Sequence, residues 1–394
     1  MLNAERTEAI VHLAKALVAH QSYSGQEGGV ARELEQYMRG HGFDDVQADS
    51  YGNVIGRIVG KRPGKKVLFD GHIDTVPVAN PVAWQHNPFN PEIVDGKLYG
   101  RGTSDMKGAV ASFTAAAGFF AEDCGKDFPG EICVAGVVHE ECFEGVAARS
   151  VSELVKPDYV VIGEASLCNL KIGQRGRAEI VVETFGVPAH SANPEKGVNA
   201  VYSMCKVIEA IRTLKPTEHP VLGKGILELT DIKSAPYPGA SVVPSYCRAT
   251  YDRRLLVGET RESVLAPIQV LLDELMKQDL GLKVQVSYAV GEETCYTGEK
   301  IRSERFFPGW LYSEEDPFVQ DILRELRAIG QNPEVTQYSF CTNGSHYAGE
   351  AGIRTVGMGP SRENLAHTDD EYIEVEQLTK AGESYYAIMK ALLR

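Results

Sequence analysis

The chain has 394 residues, 43% hydrophobic and 24% charged, with 39 glycines and 19 prolines that follow no period. This balance excludes collagen-like, coiled-coil and disordered classes, and at about 150 residues per domain it predicts a globular chain of two domains. Forty Lys and Arg stand against 54 Asp and Glu, a net charge of −14, and without a basic run there is no electrostatic footprint for a nucleic acid.

The opening MLNAERTEAIVHLAKALVAH carries charges inside its apolar stretch and spaces Ile10, Leu13 and Leu17 on one face, so it reads as an amphipathic helix and not a secretion signal. The apolar runs at Glu131–Val138 and Tyr159–Ile162 fall far short of the ~20 residues that span a bilayer, so no membrane partner is expected. Eight cysteines without a C-x-x-C pair, several inside apolar runs, read as structural thiols in a reducing cytoplasm.

Four short β-rich runs end in polar clusters: KVLFDGHID, EICVAGVVHEE, DYVVIGEAS and RTVGMGPS. Helical stretches at Met106–Phe120 and Gly145–Val155 separate the first of these runs, which predicts an α/β fold with a mostly parallel mixed sheet sandwiched by helices. Ligands gather beyond the carboxyl ends of such strands, where the polar clusters fall. From Ala178 the texture changes to strand AEIVVETFG, helix Ala200–Leu214, strands Gly225–Ile232 and Ser245–Asp252, helix Val264–Asp279 and strand Leu282–Ala289. This is an inserted α+β unit at 177–292, flanked by a first domain of 1–176 and 293–394. Gly291–Arg305 reads as a returning linker, and the last helices are expected at Asp316–Ile329 and Val375–Leu393.

The chemistry lies in five segments. His72 and Asp74 in GHID sit at i and i+2, so the Asp74 carboxylate can accept one imidazole N–H while the other nitrogen binds a metal. Asp105, in GRGTSDMKG, is placed either as an N-cap or as a carboxylate bridging two cations. In His139-Glu140-Glu141, adjacent carboxylates at a strand end repel unless a cation intervenes, which assigns Glu141 as a ligand and Glu140 to proton transfer. Phe143 stands where a zincin would need a second histidine, and His139 reads as a satisfied structural residue. Glu164 in VIGEAS and His367 in AHTDDE complete five N/O ligands, His72, Asp105, Glu141, Glu164 and His367. They suffice for two three-ligand divalent sites if Asp105 bridges.

The ordered motifs GHIDTVPV, GRGTSDMKG, HEE, GEAS, AHSANPEKGVNA and AHTDDE resemble the di-zinc metallopeptidase and deacylase family. That family includes acetylornithine deacetylase, succinyl-diaminopimelate desuccinylase, aminoacylase and glutamate carboxypeptidases. The resemblance covers nearly the whole chain. It implies His72, Asp105 and Glu164 on one zinc and Asp105, Glu141 and His367 on the other, with cobalt or manganese able to substitute. It implies Asp74 as the residue orienting His72, Glu140 as general base toward a hydroxide shared by the ions, and His190 as an oxyanion donor across a homodimer. The inserted unit matches the family's lid and dimerisation domain. Arg254 resembles the lid arginine that grips a substrate carboxylate, as its guanidinium fork suits, and Thr342, Asn343 and Gly344 are expected to line the substrate pocket. Ser241 departs from the family, in which many relatives carry Asn before Val242-Val243-Pro244. The expected activity is amide hydrolysis of a small N-acyl amino acid or short peptide. The alternatives are an N-carbamoyl-amino-acid amidohydrolase and a catalytically silent metal- or peptide-binding protein on the same fold.

Overall fold

A computed structural model describes residues 2–394, and the chain divides into two compact units. The first comprises Met1–Gln174, Glu292–Ser303 and Leu311–Arg394; the second comprises Arg175–Gly291 and Glu304–Trp310. The expected boundaries thus shift by one or two residues, and a short return segment, 304–310, joins the second unit. Its Phe306–Phe307 pairs with the strand Gly176–Phe185.

In the first unit a nine-stranded mixed sheet has four parallel neighbours at its centre, in the order Pro129–Val137, Arg62–His72, Tyr159–Ile162 and Arg354–Gly357. These are the four β-rich runs of the sequence. Helix α1 (Ala4–Val18) presents Ile10, Leu13 and Leu17 to the core. Helix α2 (Gly28–Gly40), not expected from the sequence, buries Val30, Leu34 and Met38. Helix α3 (Gly108–Asp123) is apolar and buried along nearly its whole length, and packs against α1 and the last helix, Val375–Leu392. A small antiparallel sheet of Glu92–Val94, Lys97–Tyr99 and Tyr372–Glu374 pairs Tyr372 with Tyr99. That pairing brings the loop after residue 99 beside the loop before residue 372.

The second unit is an antiparallel sheet in the order Ile226–Ala235, Tyr246–Leu255, Gly176–Phe185, Lys283–Tyr288. Period-2 alternation buries Ala178, Ile180 and Val182 on one strand and Cys247, Ala249 and Tyr251 on the next, against Met204, Val207, Ile268 and Leu272 from two helices. The expected linker is instead a hairpin, Val290–Thr294 against Lys300–Glu304. Its turn is made by Gly298, at φ +90°. Among the described residues no helix is long and apolar enough to cross a membrane, and no disulfide links the eight cysteines.

Candidate metal centre

Strand order decides which side chains meet. His72 is the last residue of its strand, Glu140 and Glu141 lie three and four residues beyond Val137, and Glu164 lies two beyond Ile162. Because these strands are adjacent, their ends line up. At the end of the fourth strand, a Cβ on Gly359 would lie 2.0 Å from the Gly163 carbonyl oxygen and 2.4 Å from that of Glu164, so only glycine permits this approach. Asp105 and His367 arrive from loops. Asp105 does not cap α3: it sits three residues ahead of Gly108 with non-helical φ −131° and ψ 91°. This corrects the N-cap alternative.

The five predicted ligands converge on Asp105. Its Oδ1 lies 3.0 Å from His72 Nε2, and its Oδ2 lies 3.0 Å from His367 Nε2. Glu164 Oε1 is 3.5 Å from His72 Nε2, while Glu141 Oε1 and Oε2 are 3.2 and 3.1 Å from His367 Nε2. A tetrahedral ion with bonds of about 2.0–2.2 Å separates its ligands by roughly 3.3–3.6 Å, so spacings of 3.0–3.5 Å come close to fitting two ions with one shared carboxylate. The donors are nitrogen and oxygen only, a set that suits zinc, cobalt or manganese at a catalytic site. A Glu140 oxygen also falls within 4.8 Å of ligand atoms of His72 and Glu164, so distance alone admits it as a ligand.

The electrostatics call for a cation. Four carboxylates, those of Asp105, Glu140, Glu141 and Glu164, face two imidazoles. Burial raises Glu164 to about 8, and the Asp105 charge adds to it. Burial likewise pushes Glu140 well above the usual carboxylate range; His72 opposes this and the charges of Glu164 and Glu141 reinforce it. Glu141 rises through burial and the Asp105 charge. Asp105 goes the other way: burial would raise it, but its bonds to His367 and His72 outweigh burial and hold it well below its ordinary value. Hydrogen bonds to Asp105 and Glu141 lift His367 to about 10. Glu140 Oε1 is buried without a hydrogen-bond partner, a costly state that a cation or a proton would relieve.

Asp74 is adjacent to His72 but acts differently from expectation. His72 Nδ1–H donates to the Asp74 backbone carbonyl at 2.9 Å, while the nearer carboxylate oxygen stands 3.6 Å away. Nε2 is thereby left as the ligand atom. The Asp74 carboxylate instead accepts the backbone N–H of Glu140 (3.1 Å) and Glu141 (3.2 Å) and the hydroxyl of Ser24 (2.7 Å). One residue thus orients His72 by its main chain and the two glutamates by its side chain. His139 is buried, and the Thr294 backbone is the neighbour its ring can bond.

Thr342 and Asn343 are buried and occupied. Thr342 donates to Gln174 Oε1 at 2.6 Å; Asn343 Nδ2 donates to Asp70 at 2.9 Å and its Oδ1 accepts Gly145 N–H at 2.9 Å. Gly344 N–H is likewise turned inward, onto Thr342 Oγ1. These bonds fix the segment from within, and its expected place at the substrate pocket stays a proposal. Asp70, raised to about 6 by burial, also accepts the Tyr347 hydroxyl.

In the second unit Arg253 is buried against Glu259 and the Ile226 carbonyl, which leaves Arg254 as the more exposed of the pair; its Nε donates to Asp252 at 2.8 Å. His190 is exposed, and its Nδ1 accepts the Ala192 N–H at 3.0 Å. A neutral His190 ring therefore carries its proton on Nε2, the tautomer that can donate outward. Ser241, where many relatives of the resembled family carry Asn, has φ +58°, a region Asn favours, and its carbonyl accepts the Ser191 N–H beside His190.

Sequence reasoning missed Ser24 and Glu371. Ser24 lies in an ordinary polar turn and carries no signal. Glu371 does: it is the last of three consecutive acids in the AHTDDE segment, and it is fully buried.

Comparison with known proteins places the chain in a family. The family described as Peptidase family M20/M25/M40 matches residues 68–391. The Escherichia coli K12 protein YgeY is 33% identical over 377 residues, 94% of this chain and 91% of its own. A succinyl-diaminopimelate desuccinylase of Cereibacter sphaeroides ATCC 17029 is 32% identical, covering 96% of this chain and 98% of its own. The solved structure of Bacillus subtilis YXEP, a dinuclear metal binding peptidase of the M20 family, shares the fold at TM-score 0.70 and 13% identity, over 100% of both chains.

Proposed function

The chain belongs to peptidase family M20/M25/M40 and is a hydrolase, and from that premise we propose that it cleaves the amide bond of small N-acyl amino acids or short peptides with two divalent ions, zinc above all. The observation that carries this reading is the Asp105 carboxylate, with one oxygen 3.0 Å from each of two ligand histidines. Held by His72, Asp105 and Glu164 on one side and Asp105, Glu141 and His367 on the other, such ions would polarise the scissile carbonyl and acidify water.

The chain's own residues supply the rest. Glu140 takes a proton from the attacking water and returns it to the leaving nitrogen, a task that suits a buried carboxyl with raised proton affinity. Asp74 fixes the Glu140 backbone, and so the direction from which the base acts. His190 donates Nε2–H to the developing oxyanion. Arg254 binds the substrate carboxylate. A homodimer formed through the second unit would bring His190 to its partner's ions. The edge strand Ile226–Ala235, with Ile226 and Ile232 exposed, supports such pairing. The cytoplasm, a reducing compartment, suits the eight cysteines.

The test is a turnover panel of N-acetyl, N-succinyl and N-carbamoyl amino acids beside dipeptides, run on ion-stripped protein resupplied with zinc, cobalt or manganese. Activity that vanishes on chelation and returns with an ion is expected. Folded protein that hydrolyses no amide under any of these conditions defeats the reading.

A further inference from the structure

Three of the candidate ligands stand at the ends of sheet strands, and the sheet fixes them. Asp105 and His367 do not. The loop Gly100–Asp105 has left-handed Gly102 (φ +91°) and non-helical Asp105, so neither strand nor helix accounts for its N–H groups. Three of them converge on one side chain, while Arg101 N–H and Thr103 N–H go to the Pro88 and Gly100 carbonyls. The fully buried Glu371 carboxylate accepts Gly102 N–H (3.1 Å), Ser104 N–H (2.7 Å) and Asp105 N–H (3.1 Å), and pairs with the buried Arg101 guanidinium at 2.6 Å. The Glu371 carbonyl accepts Gly100 N–H at 2.9 Å. Ser104 Oγ donates to the Tyr372 carbonyl at 2.6 Å.

Glu371 lies four residues after His367, so one carboxylate joins the two ligand loops that the sheet does not hold. Its neighbour Asp370 anchors a third segment, accepting Gln85 N–H (2.9 Å) and His86 N–H (3.0 Å). Arg101, on the Glu371 carboxylate, stacks 5.2 Å from the Trp84 ring. A buried carboxylate is retained only where its lone pairs are filled, and three of its donors are backbone groups of the loop that aims Asp105.

We infer that Glu371 is a positioning residue for the ion pair: its carboxylate sets the Asp105 backbone and ties it to the His367 loop, so that Asp105 can serve both ions at once. It touches neither substrate nor ion. This inference rests on the proposed two-ion reading. Groups that orient metal ligands are worth about 10- to 100-fold in metal affinity when removed.

The experiment compares full-length wild type with Glu371→Gln and Glu371→Asp. Glu371→Gln keeps the shape but turns an amide N–H₂ onto loop N–H groups; Glu371→Asp keeps the charge but shortens its reach. Ion affinity is read by chelator competition with zinc, ligand geometry by the visible spectrum of cobalt-loaded protein, and folding by melting of ion-free protein. Glu371→Gln should bind at least one ion about 10- to 100-fold more weakly, with an altered cobalt spectrum, and Glu371→Asp should fall between it and wild type. Folded Glu371→Gln with two wild-type affinities and an unchanged spectrum overturns the inference. If Glu371→Gln does not fold, wild-type affinity and spectrum in Glu371→Asp overturn it instead. Wild-type protein that binds fewer than two ions would defeat the proposed function itself, a separate result.

Discussion

Two regions of this molecule gather charge, and they resolve it in opposite ways. At the strand ends of the first unit, Asp105, Glu140, Glu141 and Glu164 crowd around two imidazoles, mostly out of water, and three of the four carboxyls are pushed up in consequence. On the sheet of the second unit, Arg254 stands opposite Arg177 and Asp252 opposite Glu179. There each Asp252 oxygen accepts one Nε, from Arg177 and from Arg254, both at 2.8 Å, and Arg305 lies 3.6 Å from Glu179. These side chains are 19–30% exposed, so water and alternating sign already balance them. The first cluster leaves buried carboxyls crowded together, which the proposed ions would relieve, whereas the second is balanced by its own side chains.

The sharpest way to break this contrast is to divide the roles of Glu140 and Glu141. Glu140→Ala should leave ion content nearly intact and lower turnover by about two to four orders of magnitude, the range for a positioned proton-transfer group. Glu141→Ala should lose activity together with one ion. Elemental analysis beside kcat decides it. If Glu140→Ala lost an ion as readily as Glu141→Ala, Glu140 would be the ligand that its distance from His72 and Glu164 also permits.

How far the sequence foretells this site depends on what kind of fact is asked for. His72, Glu141 and Glu164 are legible because runs of Val and Ile announce strands, and polar residues directly after them must lie at the sheet's edge. The position of Asp105 is also legible, but its conformation is not: an Asp ahead of a helix matches an N-cap pattern, and only tertiary contacts put its two oxygens on two histidines. The i, i+2 spacing correctly brings Asp74 to His72 without telling which oxygen receives the proton. Burial is the least visible property. Thr342-Asn343-Gly344 looks like a binding loop by composition, and its inward hydrogen bonds exist only in the folded chain. Helix α2 escapes notice because it opens on two glycines, and the hairpin Val290–Thr294/Lys300–Glu304 because its charges mimic a linker.

A second prediction follows from the crowding. In ion-free protein Glu164 holds its proton up to about pH 8, and His367 holds its proton up to about pH 10. An ion requires the deprotonated form of both. Binding must therefore release protons at neutral pH, and affinity should fall by about tenfold per pH unit for each such group as pH drops below its value. Calorimetric titration at pH 7 in two buffers of different ionisation enthalpy measures the release. Ion uptake without proton release would mean that these ligands are already deprotonated, and the contrast with the second unit would collapse.

A third, smaller effect concerns the second unit. Arg254→Ala should raise KM by about 10- to 100-fold for substrates with a free α-carboxylate, as expected for hydrogen bonds to a charged group worth about 1.5–3 kcal/mol, and should change amidated substrates little. Arg254→Lys should rescue only partly, because an ammonium lacks the fork. Equal losses on both substrate types would assign Arg254 to the architecture of its sheet.

The smallest effect should come from Asp252→Asn, the residue that both arginines share. If the second unit balances its own charge with the help of water, this substitution removes two partly exposed ion pairs, each worth up to about 1 kcal/mol. It also leaves Arg177 opposite Arg254, a like-charge cross-strand pair costing about 0.2–1 kcal/mol. The loss on denaturant unfolding should therefore stay near 1–2 kcal/mol at low salt and shrink by about 0.5 M salt, where screening acts within a few ångströms. It should not change ion content, because no ligand to an ion lies on that sheet. A loss several times larger, or one insensitive to salt, would show that Asp252 is buried and indispensable in the way the strand-end carboxylates are, and that both regions depend on compensation from a specific partner.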